Sequence, residues 1–222
     1  MCAATATQTT LEREQEAREL EPAGCDLHGV RLPVILRPER PLTDDEMLAF
    51  CASNEGLDIE SDADGSISVM TPAGPDSSRL NQILGARLLV WAEQDGRGTV
   101  FGPDLGVRFA DTTLRAPDAA WLSLGLWNPS RRTRKKAHGY LPVCPEFVVE
   151  LRSPSDRASK IQAKMEFWMS RGAQLGWLID PRRKLAMIYR PGQEPETLLK
   201  PEFLDGDGPI QGFRLEMRPF WD

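Results

Sequence analysis

The chain carries, between Pro145 and Asp180, the stretch PEFVVELRSPSDRASKIQAKMEFWMSRGAQLGWLID. It begins with a short apolar, β-branched run at residues 147–151, which is typical of a buried strand. The spacing of one buried helix face then appears at Ile161, Met165, Trp168 and Met169. Residues 175–179 predict a second buried strand. The stretch therefore predicts a strand–helix–strand unit, which in one sheet has a right-handed crossover.

The ends of these elements also have signals in the sequence. The segment Ser153–Asp156 predicts a helix start with a hydroxyl cap, and Gly172 predicts the end of that helix. One acid, Glu150, interrupts the first strand. An unpaired buried carboxylate is costly, so we expect Glu150 to bind a cation or hydrogen-bond donors.

Length and composition limit the class of protein. The 222 residues suffice for one sizeable α/β domain. No apolar run is long enough to span a membrane, and the first residues lack the pattern of a signal peptide. Four cysteines without paired spacing favour a reducing cytoplasm, and two histidines speak against a histidine zinc site. The net charge of −6 does not exclude a nuclease, since its basic groups can be local.

The rest of the chain divides into a tail and a folded part. Residues 1–30 are polar with weak periodicity and predict a mobile tail, and the proline-rich segment up to residue 40 predicts an extended lead-in. We place the domain at 41–222. Thr43 and the three acids that follow it indicate a helix start. The turn pair Asp64-Gly65 predicts a hairpin between residues 57–60 and 67–70.

Further along, the sequence predicts one long helix and several strands. Ser77 or Ser78 is expected to cap the helix, and Gly96 and Gly98 to end it. Residues 99–101 and 106–109 predict strand segments joined by a kink, and residues 119–122 and 185–190 predict two more strands. The excursion from Trp127 to Tyr140 carries a basic run at 131–136, which more often forms a solvated loop than a phosphate contact.

Several charged residues are candidates for chemistry, and each has an ordinary interpretation. Asp118 follows a proline at a strand start and could be a turn residue, and Glu60 could be a surface acid. Glu150 could be an edge-strand acid or the ion-pair partner of Arg152. Lys160 and Lys164, one helical turn apart, could form a solvated helix face. Carboxylates from neighbouring strands can instead share a hard cation such as Mg²⁺, which activates water and stabilises phosphoryl charge.

The constellation resembles the PD-(D/E)XK nuclease superfamily: PD before one strand, an acid inside the next, and a lysine on the following helix. The segments PDAAWLS, PEFVVELRSPSD, KMEFW and GAQLGWLIDP resemble more closely the Uma-type family, whose members are called "putative restriction endonucleases". The resemblance covers roughly residues 41–192. It implies an α/β (α+β) fold: a restriction-endonuclease-like core with a mixed β-sheet flanked by helices, and an added N-terminal hairpin.

The resemblance also implies a set of site residues. Glu60, Asp118 and Glu150 match the acidic positions of the family, where they would hold Mg²⁺, with Mn²⁺ as the substitute, and Lys164 matches the lysine on its helix. The superfamily pattern would place lysine at position 152, whereas this chain has Arg152. Helix geometry from the sequence also favours Lys164: the descent of roughly 12 Å from Asp156 to Lys164 returns it to about the height of Glu150, while Lys160 stops one turn short.

Two hypotheses follow. In the first, the chain is a Mg²⁺-dependent endonuclease that hydrolyses nucleic-acid phosphodiester bonds, with Asp118, Glu150 and Glu60 as metal ligands and Lys164 orienting water or stabilising charge. In the second, it is a nuclease-like fold without cleavage that acts as a binding or accessory module. For this chain we expect a nucleic-acid partner, with DNA favoured over RNA, and no membrane partner, and a homodimer is a further expectation. The absence of metal binding would favour the second.

Overall fold

A computed structural model describes Leu27, Gly29 and residues 31–127, 139–154 and 156–222. The helices within these residues are α1 (Asp44–Ser53), α2 (Pro75–Asp95), α3 (Ala158–Ser170) and α4 (Arg218–Trp221). The strands are β1 (Val34–Leu36), β2 (Asp58–Ser61), β3 (Ile67–Met70), β4 (Gly98–Phe101), β5 (Val107–Arg108), β6 (Leu114–Arg115), β7 (Ala119–Ser123), β8 (Phe147–Leu151), β9 (Leu175–Asp180), β10 (Leu185–Tyr189), β11 (Glu196–Leu199), β12 (Phe203–Asp205) and β13 (Arg214–Glu216). None of the described helices has both the length and the apolar character needed to cross a membrane.

Contacts between residues divide the described chain into two compact units. The first comprises residues up to 72, Gly106–Arg115 and 139–142, and the second comprises Ala73–Leu105, 116–127 and the rest of the chain from 143 onward. The first holds a five-stranded antiparallel sheet in the order β1-β3-β2-β6-β5, and the second a six-stranded sheet in the order β11-β10-β9-β8-β7-β4. The sequence-based division at residue 40 stays a prediction.

The first unit is built from the predicted helix and hairpin. The Thr43 side chain accepts the Glu46 backbone N–H and the Glu46 carboxylate accepts the Thr43 N–H, so a capping box begins α1 at the predicted helix start. Strands β2 and β3 pair antiparallel, with Glu60 opposite Ser68. Alternate residues of β3, Ile67 and Val69, are fully buried in a cluster with α1.

The N-terminal edge of this unit differs from the prediction. Leu27 falls inside the predicted tail, yet it is buried in the cluster of the first unit, and its backbone N–H donates to Asn54 Oδ1 over 2.9 Å. The prediction of a tail is therefore wrong at Leu27. Residues 1–26, 28 and 30 lie outside the described residues.

The second unit contains the strand–helix–strand segment. Strands β8 and β9 pair in parallel, as the sequence predicts for strands joined by a helix, whereas β7 and β10 flank them antiparallel. The sheet is therefore mixed. Since β8 and β9 have neighbours on both sides, all their residues are buried. Glu150 thus lies in an interior strand, and its interpretation as an edge-strand acid is wrong.

Helices cover both faces of this sheet. Alternate residues of β8, Phe147, Val149 and Leu151, belong to the same core cluster as Leu84 and Leu88 of α2. On the other face, the Glu150 carboxylate of β8 contacts Trp168 of α3. A Cβ on Gly176, the β9 residue that pairs with Val148, would overlap the Met165 side chain of α3. The period of two along a strand therefore assigns one face to α2 and the other to α3.

Two predicted helix starts are wrong for identifiable reasons. Helix α2 begins at Pro75 with Gly74 as its N-cap, so neither Ser77 nor Ser78 caps it, because proline is well suited to the first helical position. Helix α3 begins at Ala158 without a side-chain cap, so the predicted start at Ser153–Asp156 is too early. The Ser153 N–H donates to the Asp156 carboxylate, which holds this segment in a turn before the helix. The predicted strand segments before and after Gly102-Pro103 are present as β4 and β5, and they belong to different sheets.

Candidate active site

Asp118 directly precedes β7 and Glu150 lies on β8, the neighbouring strand of the six-stranded sheet. Strands β7 and β8 pair with Ala119 opposite Val149, so extending the register by one residue sets Asp118 opposite Glu150. The Asp118 carboxylate is bound to the neighbouring strand through Oδ2, which accepts the Leu151 N–H at 2.6 Å. The antiparallel pairing therefore brings the two acids together where β7 begins and β8 ends.

Glu150 is buried, with 1% of its side chain exposed, and both of its oxygens have protein partners. Oε1 accepts the indole N–H of Trp168 at 2.7 Å. Oε2 lies 3.1 Å from the Lys164 ammonium. A buried carboxylate stays charged at low cost only when such partners replace water, and α3 supplies both of them.

Lys164 reaches the site from α3. Its ammonium contacts Glu150 and also donates to the Ala116 carbonyl oxygen at 2.7 Å, two residues before Asp118. Its side chain is 19% exposed, so its methylenes lie along the protein, whereas Lys160 is exposed. The contact with Glu150 is the one that the helix geometry predicts. The role of Lys164 in chemistry stays a prediction.

Asp118 is partly buried between β8 and α2. Its Oδ1 accepts the side-chain amide of Asn81 at 2.9 Å. Burial raises the pKa of the Asp118 carboxyl, and the Lys164 ammonium and the hydrogen bonds from Leu151 and Asn81 oppose that increase. The carboxylate thus lies where a second positive charge would favour its ionised form.

Arg152, which takes the lysine position of the superfamily pattern, has a different partner. Its guanidinium contacts Asp180 Oδ2 at 2.6 Å and donates to the Asp156 backbone oxygen. Asp180 is buried at the end of β9. The interpretation of Arg152 as the ion-pair partner of Glu150 is therefore wrong, because Arg152 joins the ends of β8 and β9.

Glu60 belongs to the first unit. It lies on β2, where its Oε2 is 3.9 Å from Arg115 Nε, and its side chain is 12% exposed. Within the described part of the chain, no group of three or more His, Cys, Asp or Glu side chains could hold a metal ion. A metal-ligand role for Glu60 stays a prediction, and the acids that the second unit brings together are Asp118 and Glu150.

The two acids fit a hard divalent cation. Mg²⁺ usually binds through one or two carboxylates and keeps several waters, so it does not need a third acid. A carboxylate has about four acceptor sites, and the two donors on Asp118 use only some of them. Beside Asp118, the buried Oδ1 of Asn81 has no hydrogen-bond partner among the described residues. The donor set is thus entirely oxygen, as Mg²⁺ and Mn²⁺ prefer.

The family is established by a match along most of the chain. The sequence model of the Uma2 family, described as "Putative restriction endonuclease", matches residues 44–218. The chain belongs to the Uma2 family. The resemblance found in residues 41–192 is therefore confirmed. A comparison with curated proteins gave no match.

The fold of this Uma2 chain is also found in a solved structure. It is similar to a protein of Anabaena variabilis described as a "putative nuclease belonging to DUF820", with 22% identity and a TM-score of 0.65. The alignment covers 82% of this chain and 98% of the other. A likeness at this identity establishes the shared fold, so the predicted nuclease-like α/β architecture is confirmed.

Two residues near the acids were not identified as site residues from the Uma2 sequence. Trp168 was assigned to the apolar face of α3, and periodicity alone does not reveal that its N–H faces a carboxylate. Asn81 was not singled out, although it lies three residues before Leu84 on the buried side of α2, where an amide is unusual. The basic run at 131–136 lies outside the described residues.

Proposed function

We propose that this protein is a divalent-metal-dependent endonuclease that hydrolyses phosphodiester bonds of nucleic acid, DNA in the first place. One observation carries the proposal: the pairing of β7 with β8 sets Asp118, the residue before β7, opposite Glu150, and the Lys164 ammonium lies 3.1 Å from Glu150. Membership of the Uma2 family, described as "Putative restriction endonuclease", supports it. A cytoplasmic location and a homodimer stay predictions.

The charges of these three side chains suit an anionic substrate. Two carboxylates and one ammonium carry a net charge of −1, which a divalent cation would change to +1. Asp118 and Glu150 would hold Mg²⁺ or Mn²⁺, which supplies a Lewis acid and lowers the pKa of a bound water. Glu60 is proposed as an additional acid that acts directly or through water.

The protein groups around the acids would set the geometry. Leu151 N–H and Asn81 fix the Asp118 carboxylate from two directions, and Trp168 fixes Glu150. Lys164 would donate to the attacking water or to a phosphoryl oxygen as negative charge develops there. It is well placed for this because the Ala116 carbonyl oxygen and Glu150 already orient its ammonium.

Plasmid cleavage tests the proposal. We expect the purified protein to nick supercoiled DNA with Mn²⁺ or Mg²⁺ and EDTA to stop it, while Asp118→Asn, Glu150→Gln and Lys164→Met each lower the rate by about 100-fold or more. Matched controls are Asp104→Asn and Lys160→Met, whose side chains are exposed and which should cleave as the wild type does.

The result has to be separated from loss of fold. Circular dichroism and melting curves of each variant identify any that is unfolded, and Asp118→Asn keeps the shape of the side chain. Undiminished cleavage by folded Asp118→Asn would contradict the assignment. Mn²⁺ binding without cleavage by the wild type would instead favour a binding or accessory module with the same fold.

A further inference from the structure

The side chain of Asn81 presents two different ends to the site. Its Nδ2 donates to Asp118 Oδ1 over 2.9 Å, which identifies the other end of the amide as the carbonyl oxygen. That Oδ1 is buried and has no hydrogen-bond partner among the residues that the structure describes. The two atoms belong to one amide group, so the carbonyl oxygen lies beside the Asp118 carboxylate.

A buried carbonyl oxygen without a partner requires an explanation. Leaving such a group unpaired lowers stability, and native proteins have few of them, usually at sites of ions, water or chemistry. An amide carbonyl is one of the oxygen ligands that hard divalent cations accept. The position of the oxygen next to a carboxylate, rather than in an apolar part of the core, favours a cation as the missing partner.

The arrangement of α2 gives independent support. The buried residues of α2 are Ser77, Leu80, Leu84, Leu88 and Ala92. Asn81 is half-buried and lies next to Leu80 on the same side. If α2 only packed against the sheet, apolar residues at positions 77 and 81 would stabilise the fold more than Ser77 and Asn81 do. Of these two polar residues, Asn81 is the one whose side chain contacts Asp118.

We infer that Asn81 Oδ1 is a further oxygen ligand of the cation site, in direct contact or through one bound water, while Nδ2 holds the Asp118 carboxylate in position. This inference rests on the proposed function, because it concerns the cation held by Asp118 and Glu150. It adds a neutral ligand from α2 to two acids from the sheet. The three oxygens would then come from three different elements of the second unit.

Calorimetric titration with Mn²⁺ tests the inference without relying on cleavage. Asn81→Ala should weaken Mn²⁺ binding by about 10-fold or more. Gln82→Ala removes an exposed amide from the next position of the same helix and should bind Mn²⁺ as the wild type does. Cleavage by Asn81→Ala should recover at raised Mn²⁺ concentration, since the variant keeps both acids and Lys164.

Asn81→Asp separates a ligand from a purely structural residue. The variant keeps an oxygen in place but sets a second negative charge beside Asp118, so the metal-free protein should melt at a lower temperature. Mn²⁺ should then raise its melting temperature by more than it raises that of the wild type. If Asn81 serves packing alone, metal-free melting changes and the Mn²⁺ affinity of Asn81→Ala does not.

The outcomes distinguish this inference from the proposed function. Mn²⁺ binding that is lost in Asp118→Asn and unchanged in Asn81→Ala would overturn the role of Asn81 and leave the metal site of the acids intact. Failure of the wild type to bind Mn²⁺ would overturn both. Should Asn81→Ala fail to fold, the Asn81→Asp titration decides, because a gain in Mn²⁺ stabilisation supports the ligand role and its absence contradicts it.

Discussion

The hydrogen bond from Trp168 to Glu150 gives one residue two roles. The indole fills the core between α3 and the sheet, with no exposed surface, and its N–H fixes one oxygen of a buried carboxylate. Hydrogen bonds to charged groups contribute about 1.5–3 kcal/mol. The rotamer of Glu150, and hence the direction of its other oxygen toward Lys164, depends on this donor.

We predict that Trp168→Phe lowers the free energy of unfolding by about 1.5–3 kcal/mol more than Trp177→Phe does. Trp177 is an equally buried tryptophan whose Nε1 has no partner among the described residues, so its replacement loses packing but no hydrogen bond. Urea denaturation of both variants measures the difference. Equal losses would show that the indole N–H does not stabilise Glu150.

How far the sequence predicts the site depends on the kind of residue. Lys164 was predicted over Arg152 and Lys160, because the rise of a strand and of a helix are fixed lengths and place its ammonium near Glu150. The donors Trp168 and Asn81 were not predicted. Their contacts depend on which atoms face each other across packed elements, and residue spacing does not contain that information.

At the scale of elements, strand β4 is held against β7 by close contact at a glycine. A Cβ at Gly98 would overlap the Trp121 indole and the Leu122 carbonyl oxygen. The Leu122 backbone cannot move away without disturbing the pairing of β7 with β8 and β4. The sequence predicts that Gly98 helps to end a helix, whereas it is the first residue of a strand.

We predict that Gly98→Ala lowers the free energy of unfolding by about 1–3 kcal/mol through overpacking. Gly102→Ala is the matched control, because a Cβ there meets nothing within 4 Å, and it should change the free energy by no more than about 0.5 kcal/mol. Denaturant midpoints followed by circular dichroism measure both. A Gly98→Ala protein as stable as the control would show that β4 shifts freely.

Helix starts were harder to predict than helices. The spacing of apolar residues identified α2 and α3, because one buried face repeats along the whole helix. The caps depended on single residues: Ser77 and Ser153 carry the hydroxyls that caps favour, but Pro75 begins α2 earlier and the turn at Asp156 delays α3. Such local signals compete with one another, and tertiary contacts decide among them.

At the scale of the whole molecule, the strand-like residues before and after Gly102-Pro103 belong to two different sheets. Their sequence predicts extended backbone in both places, and that is confirmed for β4 and β5. Strand β4 pairs with β7, whereas β5 pairs with β6. The local sequence of a strand does not determine which distant strand it pairs with. Local pattern therefore predicted the elements but not the division into two units.

The extent of the folded chain at its N-terminus gives a further prediction. Deletion of residues 1–26 removes a largely polar segment, so we expect the melting temperature to stay close to that of the full chain. Deletion of residues 1–30 also removes Leu27, with its buried side chain and the N–H that Asn54 Oδ1 accepts. A loss of about 1–2 kcal/mol would then lower the melting temperature by roughly 2–8 °C.

Differential scanning calorimetry of the two truncations measures this difference in melting temperature. Leu27→Ser in the full chain is the matched control, because it removes the same apolar contact without shortening the chain, and its melting temperature should fall in the same range. If both truncations melt at one temperature, Leu27 does not stabilise the first unit and the tail reaches residue 30. A large drop on deletion of residues 1–26 alone would place the start of the folded domain before Leu27.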